Sequence, residues 1–417
     1  MKVYFKTFGC RTNIYDTELL KSYVKNYEIT SDENTADIIV VNSCTVTNGA
    51  DSGVRSYINS MRNSGKKVIL TGCGAVSKGK ELLKSSAVFG VLGASNKSKI
   101  DEMLGKNEPF YELGDLNFID KNIVSNYENH TKAFIKIQEG CDFSCSYCII
   151  PSVRGFSRSI DEDVILKEAK ILASNGYSEI VLTGTNIGSY GKGTGTSLGK
   201  LVANLGKING IKRIRLGSIE PSQIDESFRE ILREPWLERH LHIALQHTSQ
   251  QMLTLMNRRN RALRDLDLFC ELSSMGFALG TDFIVGHPGE TAQIWEDAVE
   301  NFNKFPLTHI HAFIFSPRNG TKSATMPIDV DPQTAKERLK ILQNIVAQNN
   351  LKFRQNNADR PLDVLVEKLS NDASGDIYEG WDQYYNKIKI KSSKNIAKEW
   401  VHITDYEIIQ EYNYAQI

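Results

Sequence analysis

The sequence predicts an α/β protein in three units: a doubly wound parallel sheet, a partial (β/α)6 barrel and a small C-terminal β-barrel. Three observations carry this reading. Short β-branched runs alternate with helical patterns over the first 126 residues, the same alternation resumes at greater length from Lys132, and period-two patterning replaces it after Pro361. The 417 residues exceed the usual length of one domain, and the pattern divides them into 1–110, 127–357 and 358–417.

In the first unit, residues 3–8, 37–42 and 67–71 read as strands, followed by helical patterns at 17–25, 52–62 and 78–84. Residues 110–129 are polar, lack sustained periodicity and read as a linker. The second unit offers strands at 133–137, 179–183, 213–217, 242–245, 281–285 and 309–314, with helical patterns such as 163–173 and 292–302 between them. Six such units make a partial barrel, whose chemistry belongs at the C-terminal strand ends. A helical pattern over 331–354 leads out to short strands at 363–367, 386–391 and 400–404, the third unit.

Hydrophobic residues form 41% of the chain and charged residues 24%, and no apolar run approaches the ~20 residues of a membrane span. The N-terminal residues lack the pattern of a signal peptide, so a cytoplasmic location is expected. Net charge is zero, and the three stretches 1–126, 127–356 and 357–417 carry +2, +2 and −4. A strongly basic nucleic-acid binder is thereby excluded, and any RNA grip must come from local patches.

The seven cysteines carry the chemistry. Cys141, Cys145 and Cys148 fall within eight residues just after the first barrel strand. Three thiolates on one tight loop can hold three irons of a cubane cluster and leave the fourth iron open. That iron can chelate the amino and carboxylate groups of S-adenosylmethionine (SAM), whose carbon–sulfur bond then breaks to a 5′-deoxyadenosyl radical. Structural zinc is the rival, but it wants four closed ligands, and no fourth cysteine or close downstream histidine completes the set. Cys10, Cys44 and Cys73 are far apart in sequence, yet each directly follows an expected strand. Parallel strands end along one sheet edge, so the three thiols should converge there, with Gly9, Gly72 and Gly74 permitting close approach of a bulky group. They suit either three small buried strand ends or, beside the triplet, a second cluster. Cys270 lies in the apolar pattern of Leu266, Phe269 and Leu272 and reads as core packing.

These cysteines, with the runs Gly9-Cys10-Arg11-Thr12-Asn13, Asn42-Ser43-Cys44-Thr45-Val46-Thr47 and Cys148-Ile149-Ile150-Pro151, resemble the radical SAM methylthiotransferases over nearly the whole chain. With Arg154-Gly155-Phe156-Ser157-Arg158-Ser159, they are most similar to the enzymes acting on N6-threonylcarbamoyladenosine in tRNA. The resemblance implies a radical SAM barrel between a cluster domain and a C-terminal barrel of the TRAM type. It implies SAM and two 4Fe-4S clusters as cofactors, a reducing electron donor, and addition of a methylthio group to C2 of the modified adenosine at tRNA position 37. By position, Cys141, Cys145 and Cys148 hold the cluster that cleaves SAM, and Cys10, Cys44 and Cys73 the one that carries sulfur. Relatives acting on isopentenyladenosine or on a ribosomal-protein aspartate are the nearest alternatives. A metal-stabilised RNA-binding protein without catalysis is the alternative of another class. Two positions depart from the family pattern: His247 stands in a run that often reads Leu-Gln-Ser-Gly-Ser, and His287 replaces a common phenylalanine. Both suit either a pocket lining or histidines hydrogen-bonded at strand ends.

Two further sites follow from placement. The segment Thr183-Gly184-Thr185-Asn186 suits the methionine end of SAM, with Gly184 and Asn186 foremost, and Ser218 with Glu220 suits its ribose, because both lie at strand ends on the barrel face of the triplet. Arg258, Arg259 and Arg261 form the densest basic patch near that face and are expected to contact tRNA phosphates. Lys387 and Lys389 alternate on a C-terminal strand and offer a second, narrower stripe.

Overall fold

The computed structural model describes residues 1–128, 130–370 and 376–417; Asn129, the expected end of the linker, lies outside the described residues. The chain opens with β1 (Lys2–Thr7), α1 (Arg11–Ser22), β2 (Glu28–Ile29), β3 (Ile38–Ser43), α2 (Asn48–Asn63), β4 (Lys67–Gly72), α3 (Cys73–Lys84), β5 (Gly90–Leu92), α4 (Ile100–Leu104) and β6 (Phe110–Glu112). The six strands form one parallel sheet in the order β2-β1-β3-β4-β5-β6. Burial on both faces explains the unbroken apolar run of β3. Ile38 and Val40 pack with Leu20 and Ile100 on one side, while Ile39 and Val41 pack with Ile58 and Leu82 on the other. One expectation is corrected here: Phe110 begins an edge strand rather than a linker, since its ring fills the space beside Gly90.

The second unit comprises β7 (Ala133–Glu139), α5 (Ile150–Arg154), β8 (Arg158–Ser159), α6 (Glu162–Ser174), β9 (Glu179–Gly184), α7 (Leu198–Gly206), β10 (Arg213–Leu216), α8 (Glu226–Glu230), β11 (His240–His242), α9 (Gln250–Leu255), α10 (Ala262–Ser274), β12 (Ala278–Val285), α11 (Ala292–Phe302) and β13 (His309–Ile314). Parallel pairing runs β7-β9-β10 and β11-β12-β13, and single bridges at Ile214–Leu237 and Ile219–Ile243 join the two sheets. Six strands in sequence order thus make the open barrel. Its fourth strand lies earlier than the expected 242–245, because beyond His242 only isolated bridges remain and Gln246 turns to a φ of 65°. Cys270 is exposed rather than core: α10 turns Phe269 and Leu272 inward and leaves Cys270 on the solvent side.

A long helix, α12 (Pro332–Asn356), leads to β14 (Leu362–Leu369), β15 (Ile377–Trp381), β16 (Lys387–Lys391), β17 (Trp400–Ile403), β18 (Glu407–Ile408) and β19 (Asn413–Gln416). They form a curled sheet in the order β17-β14-β15-β16-β19-β18 around Val364, Val366, Ile388 and Ile390. The turn between β15 and β16 reaches the barrel floor, where Tyr385 stacks on His240 and accepts a hydrogen bond from Arg11 at 2.9 Å. All three units therefore meet at one side chain. Among the described residues, no helix is long and apolar enough to cross a membrane.

Candidate active site: two cysteine triads on one pocket

The first triad is built by strand ends that pass directly into helices. Cys10 caps α1, Cys44 follows β3, and Cys73 opens α3, so two helix N-termini direct their partial positive charge at thiols. Asn13 ties the ends together by donating to the carbonyls of Phe8 at 2.7 Å and Ser43 at 3.1 Å. The glycines serve this packing: a Cβ on Gly9 would lie 2.5 Å from that of Cys44, and one on Gly72 2.5 Å from the Ser43 carbonyl oxygen. The space a Cβ would need is filled by the neighbouring chain.

The second triad sits on the loop after β7. Cys141 N–H donates to the Gly155 carbonyl at 3.0 Å and Cys148 N–H to that of Cys145 at 3.1 Å. Between them Ser146 N–H donates to the Met256 carbonyl at 2.9 Å, and Ser323 N–H donates to the Ser146 carbonyl at 2.7 Å. Ser323 is hydrogen-bonded in turn to His287 at 2.7 Å. His287 thus buttresses the cysteine loop, while His247, fully buried, accepts from the Ser249 N–H at 3.0 Å. Neither lines the pocket.

Do these thiols suit iron–sulfur clusters? Three of the six sulfurs accept an N–H from a side chain: Cys73 from Arg154 at 3.1 Å, Cys141 from Asn186 at 3.6 Å and Cys145 from Arg258 at 3.7 Å. Such donors are the usual company of cluster thiolates. A single zinc ion would draw its sulfurs to about 3.8 Å apart, yet among the described residues neither triad brings all three sulfurs within 4.8 Å of one another. The spacing favours a larger polynuclear group. Burial pushes the Cys44 thiol up to about 11 and that of Cys148 to about 12, so stable thiolates here need cationic metal beside them.

A pocket of about 340 Å³ lies between the loop after Cys44 and the cysteine loop at Cys148. Val46 and Thr47, just after Cys44, form one wall; Tyr147, Cys148 and Ile150 form another; Asp282, Phe313 and Arg318 line it from the barrel. That volume is within the range of small-molecule sites, ~300–1,000 Å³. Of the residues expected to hold SAM, Asn186 and Glu220 are brought to the triplet. Asn186 N–H donates to Gln138 at 2.8 Å, which fixes its side chain toward Cys141. Glu220 is gripped by both terminal nitrogens of Arg258. Gly184 packs on the Gln138 carbonyl, where a Cβ would lie at 2.7 Å, and Ser218 is exposed.

Arg258 requires a correction. Its side chain is buried, bonded to Glu220 and to the Ala244 carbonyl at 2.7 Å, and it offers nothing to a phosphate. Sequence could not separate it from Arg259 and Arg261, both exposed, because the three differ only in which side of the loop they face. Lys387 is paired with Glu379 at 2.8 Å, and Lys389 lies over the Tyr412 ring. Sequence reasoning also missed Arg318, which donates to the Thr45 carbonyl at 3.1 Å and to Asp51 at 2.6 Å, fastening the Cys44 loop to the barrel. Its only signal was a Ser-Pro-Arg run beyond β13.

The open barrel and its cysteine loop define a radical SAM enzyme. The radical SAM superfamily model matches residues 135–302, and that of uncharacterized protein family UPF0004 matches residues 2–93. A Helicobacter pylori protein that carries a provisional methylthiotransferase name is 48% identical over 99% of both chains. The threonylcarbamoyladenosine tRNA methylthiotransferase of Aquifex aeolicus is 35% identical over 88% of this chain and 93% of its own. In fold, the chain is similar to the radical SAM methyltransferase TsrM of Kitasatospora setae, with a TM-score of 0.61 and 14% identity over 78% of this chain and 74% of that one. The chain belongs to the radical SAM methylthiotransferase family. Its cofactors are SAM and 4Fe-4S clusters, two in this family.

Proposed function

We propose that this enzyme adds a methylthio group to C2 of N6-threonylcarbamoyladenosine at position 37 of tRNA, in the cytoplasm, with a reducing electron donor. One observation supports the reading: a single pocket is lined by Val46 and Thr47, shortly after Cys44, and by Cys148, so a base bound there would lie beside the Cys44 loop and against one cysteine of the second triad. The likeness to the Aquifex aeolicus enzyme supports the choice of base. Cys141, Cys145 and Cys148 hold the cluster that binds and cleaves SAM, and Cys10, Cys44 and Cys73 hold the cluster that carries the sulfur. When bound, these groups supply the radical and the methylthio group. The protein's part is orientation. Asn186 and Gly184 cradle the methionine end of SAM, Ser218 and Glu220 its ribose, and Arg258 keeps the Glu220 carboxylate in place. Arg259 and Arg261 contact tRNA phosphates, with Lys387 and Lys389 in a lesser role.

Mass spectrometry of tRNA nucleosides tests the substrate. A strain lacking the gene should lose 2-methylthio-N6-threonylcarbamoyladenosine and accumulate the unthiolated base. Loss of the methylthio isopentenyl nucleoside instead would move the assignment to that base, and an unchanged profile would remove tRNA as substrate. The cluster assignment has its own test: 5′-deoxyadenosine formed by a Cys141/Cys145/Cys148 triple alanine variant would overturn it.

A further inference from the structure

Three neighbouring barrel strands each place one metal-ligating side chain at the same level of the lumen. His242 ends β11, Asp282 lies in β12 directly opposite His311 of β13, and their ligand atoms all lie within 4.8 Å of one another. The Asp282 carboxylate stands 3.2 Å from His242 Nε2 and 3.6 Å from His311 Nδ1. Gly280 makes the arrangement possible, since a Cβ there would lie 3.0 Å from His242 Nδ1. Below this level, His309 is occupied by hydrogen bonds to Thr308 and to the Tyr385 carbonyl, so it belongs to the floor.

Two features suit this cluster to an ion. His242 is 9% exposed, and among the described residues its Nε2 has no hydrogen-bond partner of acceptable geometry despite the nearby carboxylate. A buried imidazole nitrogen left in that state costs free energy comparable to a lost hydrogen bond. The other feature is the donor set. Two imidazoles and one carboxylate on one side of an ion, with the remaining positions open, suit a divalent first-row transition metal rather than calcium or magnesium. Asp282 lines the pocket beside Cys148, so the open positions face whatever fills it.

We propose that His242, Asp282 and His311 form a binding site for one divalent first-row transition ion, separate from both cysteine triads and open to the pocket. Such an ion would present its free positions to oxygen or nitrogen groups of a pocket ligand. The site is independent of which modified base the enzyme uses.

The test uses the full chain with its clusters reconstituted anaerobically, so that the cysteines are occupied by iron. After anaerobic dialysis against micromolar Zn2+, the wild type should retain about one zinc per chain beyond its iron. His311→Ala and Asp282→Asn should each weaken zinc binding by more than about tenfold. His311 is 64% exposed in its side chain, so its removal leaves the packing intact. X-ray absorption at the zinc edge should show nitrogen and oxygen neighbours only. No retained zinc, sulfur among the neighbours, or undiminished binding by both variants would each overturn the site.

Discussion

Arg154 directs its Nε–H at the sulfur of Cys73, 3.1 Å away, from within a buried ion cluster that joins two units of the fold. Its Nη1 also donates to Asp16 at 2.8 Å and Glu139 at 2.6 Å, while Lys136 reaches both acids and Lys97 approaches Asp16 at 3.3 Å. Asp16 and Lys97 come from the N-terminal unit; Lys136, Glu139 and Arg154 come from the barrel. Three buried cations face two buried carboxylates, and Arg158 adds a longer pair to Glu139 at 3.9 Å. The surplus positive charge lies against a thiol of the first triad, where an anionic cluster ligand would balance it.

Removing that charge should therefore be felt at the cluster. Hydrogen bonds and positive charge at ligand sulfurs favour the reduced, more negative state. Arg154→Gln is expected to lower the reduction potential of the N-terminal cluster, read by a redox titration followed by electron paramagnetic resonance. Arg154→Lys should restore part of the shift. The same variant breaks buried ion pairs, which costs about 3–5 kcal/mol of stability. A destabilised protein with an unmoved potential would show that Arg154 serves folding alone.

Glu168 gives a pH dependence of opposite origin. Among the described residues its partners are only the Val124 N–H at 2.9 Å and the Tyr15 hydroxyl at 3.5 Å, and burial pushes its carboxyl up to about 8. The folded protein then holds a proton that the unfolded chain has lost. This contribution is complete below the unfolded value and falls by about 1.4 kcal/mol per pH unit as pH rises toward 8. Glu168→Gln keeps a neutral side chain and removes the slope. Urea melts should find wild type and variant similar near pH 5 and the variant more stable above pH 8; parallel pH profiles would refute the neutral carboxyl.

What could be read from the sequence followed from periodicity and from the chemistry of cysteine. Strands β3, β4 and β9 lie within a residue or so of expectation because apolar runs buried on both faces have clear ends. The placement of Cys10, Cys44 and Cys73 was legible because cysteines directly after parallel strands share an edge, and that of Cys141, Cys145 and Cys148 because they fall on one short loop. Partners across units were not. Nothing near Arg154 announces Asp16, 138 residues away, and nothing near Arg318 announces Thr45, 273 residues away. The short strands β15, β18 and β19 escaped because polar residues interrupt their alternation and tertiary pairing holds them.

Arg318 should couple the two triads. By holding Thr45 and Asp51 it fixes the wall that carries Val46 and Thr47 against the barrel. Arg318→Ala leaves all six cysteines in place but frees that wall, and a displacement of about 1 Å can cost up to about 100-fold in rate. The expected outcome is a fall in methylthiolated tRNA larger than the fall in 5′-deoxyadenosine, both measured in one assay. If both fall equally, the clamp has no part in coupling.

The grip on tRNA should lie on the barrel's cysteine loop rather than on the curled sheet. Arg259 stacks its guanidinium over Phe143, 4.3 Å from the ring centre and two residues from Cys141, and Arg261 is exposed nearby. Neither has a carboxylate partner within ion-pair distance among the described residues, so both charges are available to phosphates. On β16 the position is reversed: Glu379 matches Lys387, and Asp376 stands 3.6 Å from Lys391. Arg259→Ala with Arg261→Ala is thus expected to weaken tRNA binding more than Lys387→Ala with Lys389→Ala, with iron content unchanged in both. For each single-stranded phosphate that a variant no longer neutralises, the plot of log affinity against log salt should flatten by about 0.7. Binding measured across a salt series separates the two surfaces: a flatter slope only in the lysine variant would place the principal grip on the C-terminal sheet.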